Sequence, residues 1–415
     1  MSLAPTVIDP AVVGRRLQLT RAAQWFAGAQ DDPYALVLRA ETADPAPYEE
    51  RVRARGPLFH SELLDTWVTA SRAVADEVIA APAFDGLTTD GRRPGERQLP
   101  LSGTALDADR ATWERLGALT VEGGPLLSGQ HRTALGESAG AHARTLLDGL
   151  ADSLYADGAV DLVDTYARRL VARVIREQLG VPEPLANVFD DALTGCRGTF
   201  DSALCPQLLP DAVAGAPAEA ELTAVLRKLP TGRDPEAVTA ARALAVGTAE
   251  PTATLVGNAV QALLERPGQW AALAQDPGLA AAAVTETLRA APPVRLEWRV
   301  ARKDTEVAGE PVPAGGRLVI LVAAVNRDAA DAAPFDLSRP ESAPFGLPGD
   351  LYFRFCGPLV TAVAEAALGA LGERFPGLYT AGPAVRRRRS PVLHGYARLP
   401  VAATRGARAL PTAAV

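Results

Sequence analysis

"ETLRAAPPVRLEWRVARKDTEVAGEPVPAGGRLVILVAAVNRD" (residues 286–328), followed by "FDLSRP" (335–340), places a helix end, a strand region and two charged anchors in a fixed order. Glu286 and Arg289 are three apart, so they share one face of a helix over 281–290. Pro292 and Pro293 end that helix, because the residue before a proline is pushed out of the helical region. Residues 294–325 are rich in Val, Leu and Ile and are broken by "AGEPVPAGG", whose Gly and Pro predict a turn between strands. Taken alone, the Glu286–Arg289 pair is commonplace and reads as a solvated surface ion pair.

Outward from this stretch the chain is mostly helical. Upstream, "PEAVTAARALAVGTAEPTATLVGNAVQALLERPGQW" (235–270) predicts a long buried helix. "HRTALGESAGAHARTLLDGLADSLYADG" and "DLVDTYARRLVARVIREQLGV" carry apolar residues at three-to-four spacing before Gly stops, the pattern of amphipathic helices. Residues 14–41 predict two helices separated by Asp31-Asp32-Pro33, and 45–56 a third closed by Gly56. Residues 57–71 predict a small hairpin, and 88–130 a long loop with short helical pieces at most. Downstream, a last helix is predicted over about 358–374, then two short strands within "AVRRRRSPVLHGYARLPVAA". "RRRR" at 386–389 reads either as an anion site or as a solvated strand end.

The fold class predicted is mainly α with small β-sheets. With 415 residues, 48% of them hydrophobic, a large core is available. No stretch has linker character, so a single domain is predicted over 1–415. Residues 1–30 form an N-terminal extension and helix, and 400–415 a flexible tail. The formal net charge of −7 argues against broad binding to nucleic acid or to an anionic membrane. The apolar run "LVILVAAV" (318–325) is too short to span a bilayer, and the N-terminus lacks the pattern of a secretory signal. Cys196, Cys205 and Cys356 have neither zinc-site spacing nor the even count of a disulfide framework. A cytoplasmic protein with reduced thiols is expected, with no metal expected.

The ordered set of Glu286-x-x-Arg289, the two prolines, Arg299 in a strand, the Pro-Ala-Gly turn, Asn326-Arg327-Asp328 and Phe335-Asp336…Arg339-Pro340 resembles the bacterial cytochrome P-450 (haem-thiolate) fold over roughly 30–400. The resemblance implies a P-450-like fold in which Glu286, Arg289 and Arg339 form a buried structural network. It also implies haem, and it places Cys356 at the position of the iron ligand. Arg299 and Arg354 match two cations that grip the haem propionates. Glu250 matches the acid and Thr252 the hydroxyl residue of the oxygen-activation stretch, with Pro251 between them. These two would be the catalytic residues of a haem-thiolate monooxygenase acting on a polyketide.

The stretch around Cys356 departs from the family loop. The Phe345-Gly346 pair lies farther from the cysteine than the family spacing allows, Tyr352 stands where a loop glycine is needed, and Pro358 replaces another. Glycine gives that loop conformations that other residues enter only with strain, and proline removes an N–H from the region that bonds to the sulfur. Cys356 therefore reads either as an iron ligand or as a small buried apolar residue. Thr252 reads either as catalytic or as a helix threonine bonded to its own backbone.

Several segments, among them "GRRLQLTRAAQWFAGAQDDPYALVLRA" and "VRRRRSPVLHGYARLPV", resemble a narrower group. These are the P-450-like auxiliary proteins of TDP-deoxysugar glycosyltransferases in macrolide and anthracycline antibiotic biosynthesis. That resemblance implies a non-catalytic activator, no haem, a hetero-oligomer with its cognate glycosyltransferase, and a partner contact at Trp25 and Phe26. Cys356 departs from that group, which generally lacks the cysteine, and keeps haem open.

Overall fold

The computed structural model describes residues 9–42, 44–91, 104–118, 131–156, 158–328, 334–339, 344–345 and 351–405. Helix α1 (Pro10–Ala29) starts where the Asp9 carboxylate accepts the Ala11 N–H at 2.9 Å and Pro10 supplies a preset first turn. Asp32 and Pro33 repeat the device for α2 (Pro33–Arg39). Helix α3 (Ala46–Arg53) gives way to Gly56, whose φ of 121° suits glycine. The predicted hairpin follows as β1 (Phe59–Ser61) and β2 (Thr66–Thr69), with Phe59 opposite Val68.

Helix α4 (Arg72–Ala80), β3 (Phe84–Asp85) and α5 (Arg110–Ala118) lead to α6 (His131–Tyr155), a single helix of 25 residues. Then come β4 (Val160–Asp161), α7 (Arg168–Leu179), α8 (Ala186–Gly195) and α9 (Leu209–Leu226). The 30-residue α10 (Pro235–Leu264) runs about 45 Å through the interior. Pro251 lies inside it, and the helix continues on both sides. Helices α11 (Pro267–Gln275) and α12 (Ala280–Ala290) precede the strand region of β5 (Leu296–Ala301), β6 (Thr305–Val307), β7 (Glu310–Val312) and β8 (Arg317–Leu321). The end of the region expected to be extended is instead the short helix α13 (Val322–Asn326).

The last helix, α14 (Leu351–Arg374), begins about two turns earlier than the sequence predicts. After it come β9 (Leu378–Thr380), β10 (Val385–Arg386), β11 (Tyr396–Arg398) and β12 (Pro400–Ala403). The flexible tail expected over 400–415 fails at its start: buried β12 is the middle strand of a sheet ordered β4-β12-β9. Residues 406–415 lie outside the described residues. The larger sheet has the order β1-β2-β8-β5-β3, with β2 and β8 parallel and the other pairs antiparallel.

The core centres on α14, which packs chiefly on α6 and α10 and also on α11 and α12. Leu359, Val360, Val363, Ala364, Leu368 and Leu371 are wholly buried there. Arg354–Arg374 is long and apolar enough to cross a membrane, but 72% of that window is buried inside the protein. Its hydrophobicity is that of a core helix surrounded by other helices.

Candidate functional site

Cys356 does not stand in a loop. It lies in the second turn of α14, is wholly buried, and its thiol approaches the Ala243 carbonyl oxygen of α10 at 3.8 Å. The cause is local. With Tyr352 in place of a loop glycine, "LYFRFC" has no residue that favours a left-handed turn, and it continues the helix instead. Phe355, beside the cysteine, packs on Trp113 of α5 with ring centroids 5.6 Å apart. Pro358 is in the helix and exposed, so its ring faces outward although it contributes no N–H.

These residues do not fit a haem. A porphyrin placed on the Cys356 sulfur would occupy the space taken by the α10 backbone at Ala243. The nearby cavity lined by Trp113, Phe200, Leu296, Glu297 and Arg299 holds about 50 Å3. That is room for a water or two, far below the ~300 Å3 at which small-molecule pockets begin.

The residues matched to oxygen activation are engaged elsewhere. Glu250 receives Arg168 Nε at 2.9 Å and a second Arg168 nitrogen at 3.1 Å, and Arg387 at 2.9 Å. Burial opposes its ionisation, but the guanidiniums of Arg168 and Arg387 outweigh this and hold the carboxyl below its usual range. Glu250 thus clamps α10 to α7 and to the C-terminal arm. The Thr252 hydroxyl is wholly buried and donates to the Thr248 carbonyl at 2.7 Å, one turn back along its own helix.

The two arginines matched to propionates are also placed differently. Arg299 is buried on β5, donates to the Trp298 carbonyl at 2.7 Å and lies 3.6 Å from Glu297. Arg354 is exposed on α14. Neither arrangement leaves a pair of guanidiniums converging on a slot beside Cys356.

Glu286 and Arg289 form a buried bidentate pair, with contacts of 2.6 and 2.8 Å, in place of a surface one. Arg339 lies 3.6 Å from the same carboxylate, and the Asp336 N–H donates to it at 2.9 Å. The pair therefore pins residues 334–339 to α12. A second buried carboxylate, Glu49, joins Arg295 at 2.5 Å and also pairs with Arg327, tying α3 to the residue before β5 and to the residue after α13. Sequence reading missed Glu49, Arg168 and Arg387 as partners, because residues tens to hundreds of positions apart leave no local spacing to read.

Trp25 and Phe26 are each 57% exposed, and Leu19 is 71% exposed. Val12, Leu19 and Phe26 recur every seven residues and so lie along the outward side of α1. That heptad spacing was present in the sequence and extends the apolar stripe beyond the two residues singled out from it.

The chain is 57% identical over 409 residues to Protein TylM3 of Streptomyces fradiae, covering 95% of this chain and 94% of that one. It is 35% identical to the cytochrome P-450 family protein EryCII of Saccharopolyspora erythraea, covering 95% and 99%. The chain belongs to the cytochrome P-450 family. Among solved P-450 structures, ligand-free CYP164A2 of Mycobacterium smegmatis superposes with a TM-score of 0.74 at 27% identity, over 89% of this chain and 99% of that one. No protein-family model matches the sequence. The P-450 fold thus spans most of the chain, while the cysteine-bearing segment lies within the core helix α14.

Proposed function

We propose that this P-450-like protein is a non-catalytic auxiliary protein. It binds and stabilises or activates a TDP-deoxysugar glycosyltransferase of polyketide antibiotic biosynthesis, in the cytoplasm and as a hetero-oligomer. The observation that carries this reading is the closure of the thiolate position, with Cys356 packed on Ala243 of α10. The relation to TylM3 supports it, as does the resemblance of the N- and C-terminal segments to auxiliary proteins of that kind. The outward stripe of α1, with Trp25 and Phe26 as anchors, is the proposed contact surface. Buried aromatic anchors carry much of the energy in such interfaces. An activator of this kind needs no chemistry of its own. By binding one conformation of the transferase more tightly, it shifts that enzyme's population by the difference in affinity.

The test is co-expression with a TDP-deoxysugar glycosyltransferase from the same producer. The two chains should co-purify, and sugar transfer should rise with the auxiliary chain present, equally for wild type and Cys356→Ala. A thiolate-type carbonyl spectrum from the reduced protein, abolished by Cys356→Ala, would instead make it a monooxygenase.

A further inference from the structure

The four consecutive arginines at 386–389 meet different fates. Arg386 donates to Asn258 at 2.8 Å and stacks over Tyr396, and Arg387 is held by Glu250. Arg388 and Arg389 line a concavity of about 420 Å3 together with Arg21 of α1 and Arg39 of α2. Arg39 is paired with Glu41 at 2.8 Å, whereas Arg21, Arg388 and Arg389 make no ion pair among the described residues. Trp25 forms part of the wall, with the Arg39 guanidinium 5.0 Å from its ring centroid. Four guanidiniums and one carboxylate thus share one pocket on a chain whose net charge is −7.

This concentration of charge is built in. Arg389 has a φ of 55°, a left-handed conformation that strains a residue with a side chain. Its surroundings enforce that conformation. Its carbonyl faces the Cys205 thiol at 3.5 Å, and buried Asp201 accepts from Ser390 at 2.5 Å and from the Val392 N–H at 2.8 Å. Arg21 holds its proton less firmly than a solvated arginine, through loss of solvent and then through repulsion by Arg389. Arg21 donates only to the neutral oxygens of Gln18 at 3.5 Å and Gln207 at 3.4 Å. A fold that keeps arginines without carboxylate partners close enough to repel each other gains when an anion arrives between them.

We propose that this pocket binds a diphosphate group, with Arg21, Arg388 and Arg389 meeting its oxygens and Trp25 flanking whatever the diphosphate carries. Guanidinium forks match phosphate oxygens in geometry as well as in charge. The concave shape and the volume, within the ~300–1,000 Å3 range of small-ligand sites, favour a compact anion over an acidic protein segment.

The test is isothermal titration of the full chain with inorganic pyrophosphate and with thymidine diphosphate, at low and high salt. The nucleotide is chosen on the proposed pairing with a TDP-sugar transferase, while the pyrophosphate measurement needs no partner and stands if that pairing fails. Both probes should bind and weaken with salt. Arg21→Ala and Arg389→Gly should each weaken binding about tenfold, the value of one charge-assisted hydrogen bond. Arg389→Gly suits the left-handed backbone, so its urea midpoint should not fall, which separates lost binding from lost fold. Arg15→Ala, exposed on α1 outside the pocket, should change nothing. Tighter binding of the nucleotide, lost in Trp25→Ala, would place the nucleoside on the indole. Equal binding of both probes still supports the diphosphate site. Absence of binding by either probe, binding unaffected by Arg21→Ala and Arg389→Gly, or binding of a glutamate-rich peptide alone would overturn the proposal.

Discussion

The Cys356 thiol lies 3.8 Å from the carbonyl oxygen of Ala243, so the helix that bears the cysteine rests directly on the central helix of the fold. A buried thiol in that position is a small packing group. Cys356→Ala should cost about 1 kcal/mol, the usual scale for a small core truncation, and leave partner binding intact. Urea unfolding and co-purification with the transferase check both halves.

Glu250 is held by Arg168 and Arg387 at the meeting point of three chain segments. Removing one member leaves buried charge without compensation, so Glu250→Ala should destabilise by about 3–5 kcal/mol. Urea midpoints of the wild type and the variant measure the difference.

The same carboxylate sets an acid limit. The carboxyls of Glu250 and Glu49 are both held below their usual range: burial opposes this, and paired arginines prevail. Their contribution is complete above the unfolded carboxylate pKa, near pH 4.3, and is lost as pH falls through the lower folded values. Stability should therefore drop steeply below about pH 4, and Glu250→Gln should make the drop shallower. Thermal or urea unfolding from pH 7 down to 3 gives the slope.

Arg289 is buried against Glu286 and also reaches the Pro334 carbonyl at 3.3 Å. Arg289→Ala should cost about 3–5 kcal/mol by stranding the carboxylate. It should also release residues 334–339, whose amide protection in hydrogen exchange should fall more than that of α10.

Trp25 and Phe26 are half-exposed on α1. Truncating both to Ala should move stability by only about 0.5 kcal/mol, yet weaken the transferase complex by about 2 kcal/mol or more if they anchor it. Calorimetric titration of the two purified chains, beside a thermal melt of the variant, separates the effects. An unchanged affinity would move the contact surface away from α1.

Much of the architecture was legible in the sequence because its signals are local. Periodicity and proline stops marked α10 and α12, the turn residues at 308–316 marked the strand region, and the order of Glu286, Arg289 and Arg339 carried the family. The start of α14 was misplaced because Cys356 and Pro358 suggested a loop, whereas the residues between 351 and 356 can continue a helix and do so against α6 and α10. Residues 400–403 fall both in the stretch expected to hold two short strands and in the expected tail, because four residues carry too little periodicity to decide until β4 and β9 pair with them on either side.

By itself the sequence determined that the chain is a single P-450-like domain with a cysteine at the ligand position in a stretch stripped of its loop glycines. It could not say where that cysteine's sulfur would point. Only the tertiary structure decided that α14 packs on α10, that Glu250 serves as a clamp between Arg168 and Arg387, and that two of four consecutive arginines line a pocket with α1. The physical reason is range: helix periods and turn residues act over a few positions, whereas a buried charge or thiol takes its role from groups that only the packed core brings within contact distance.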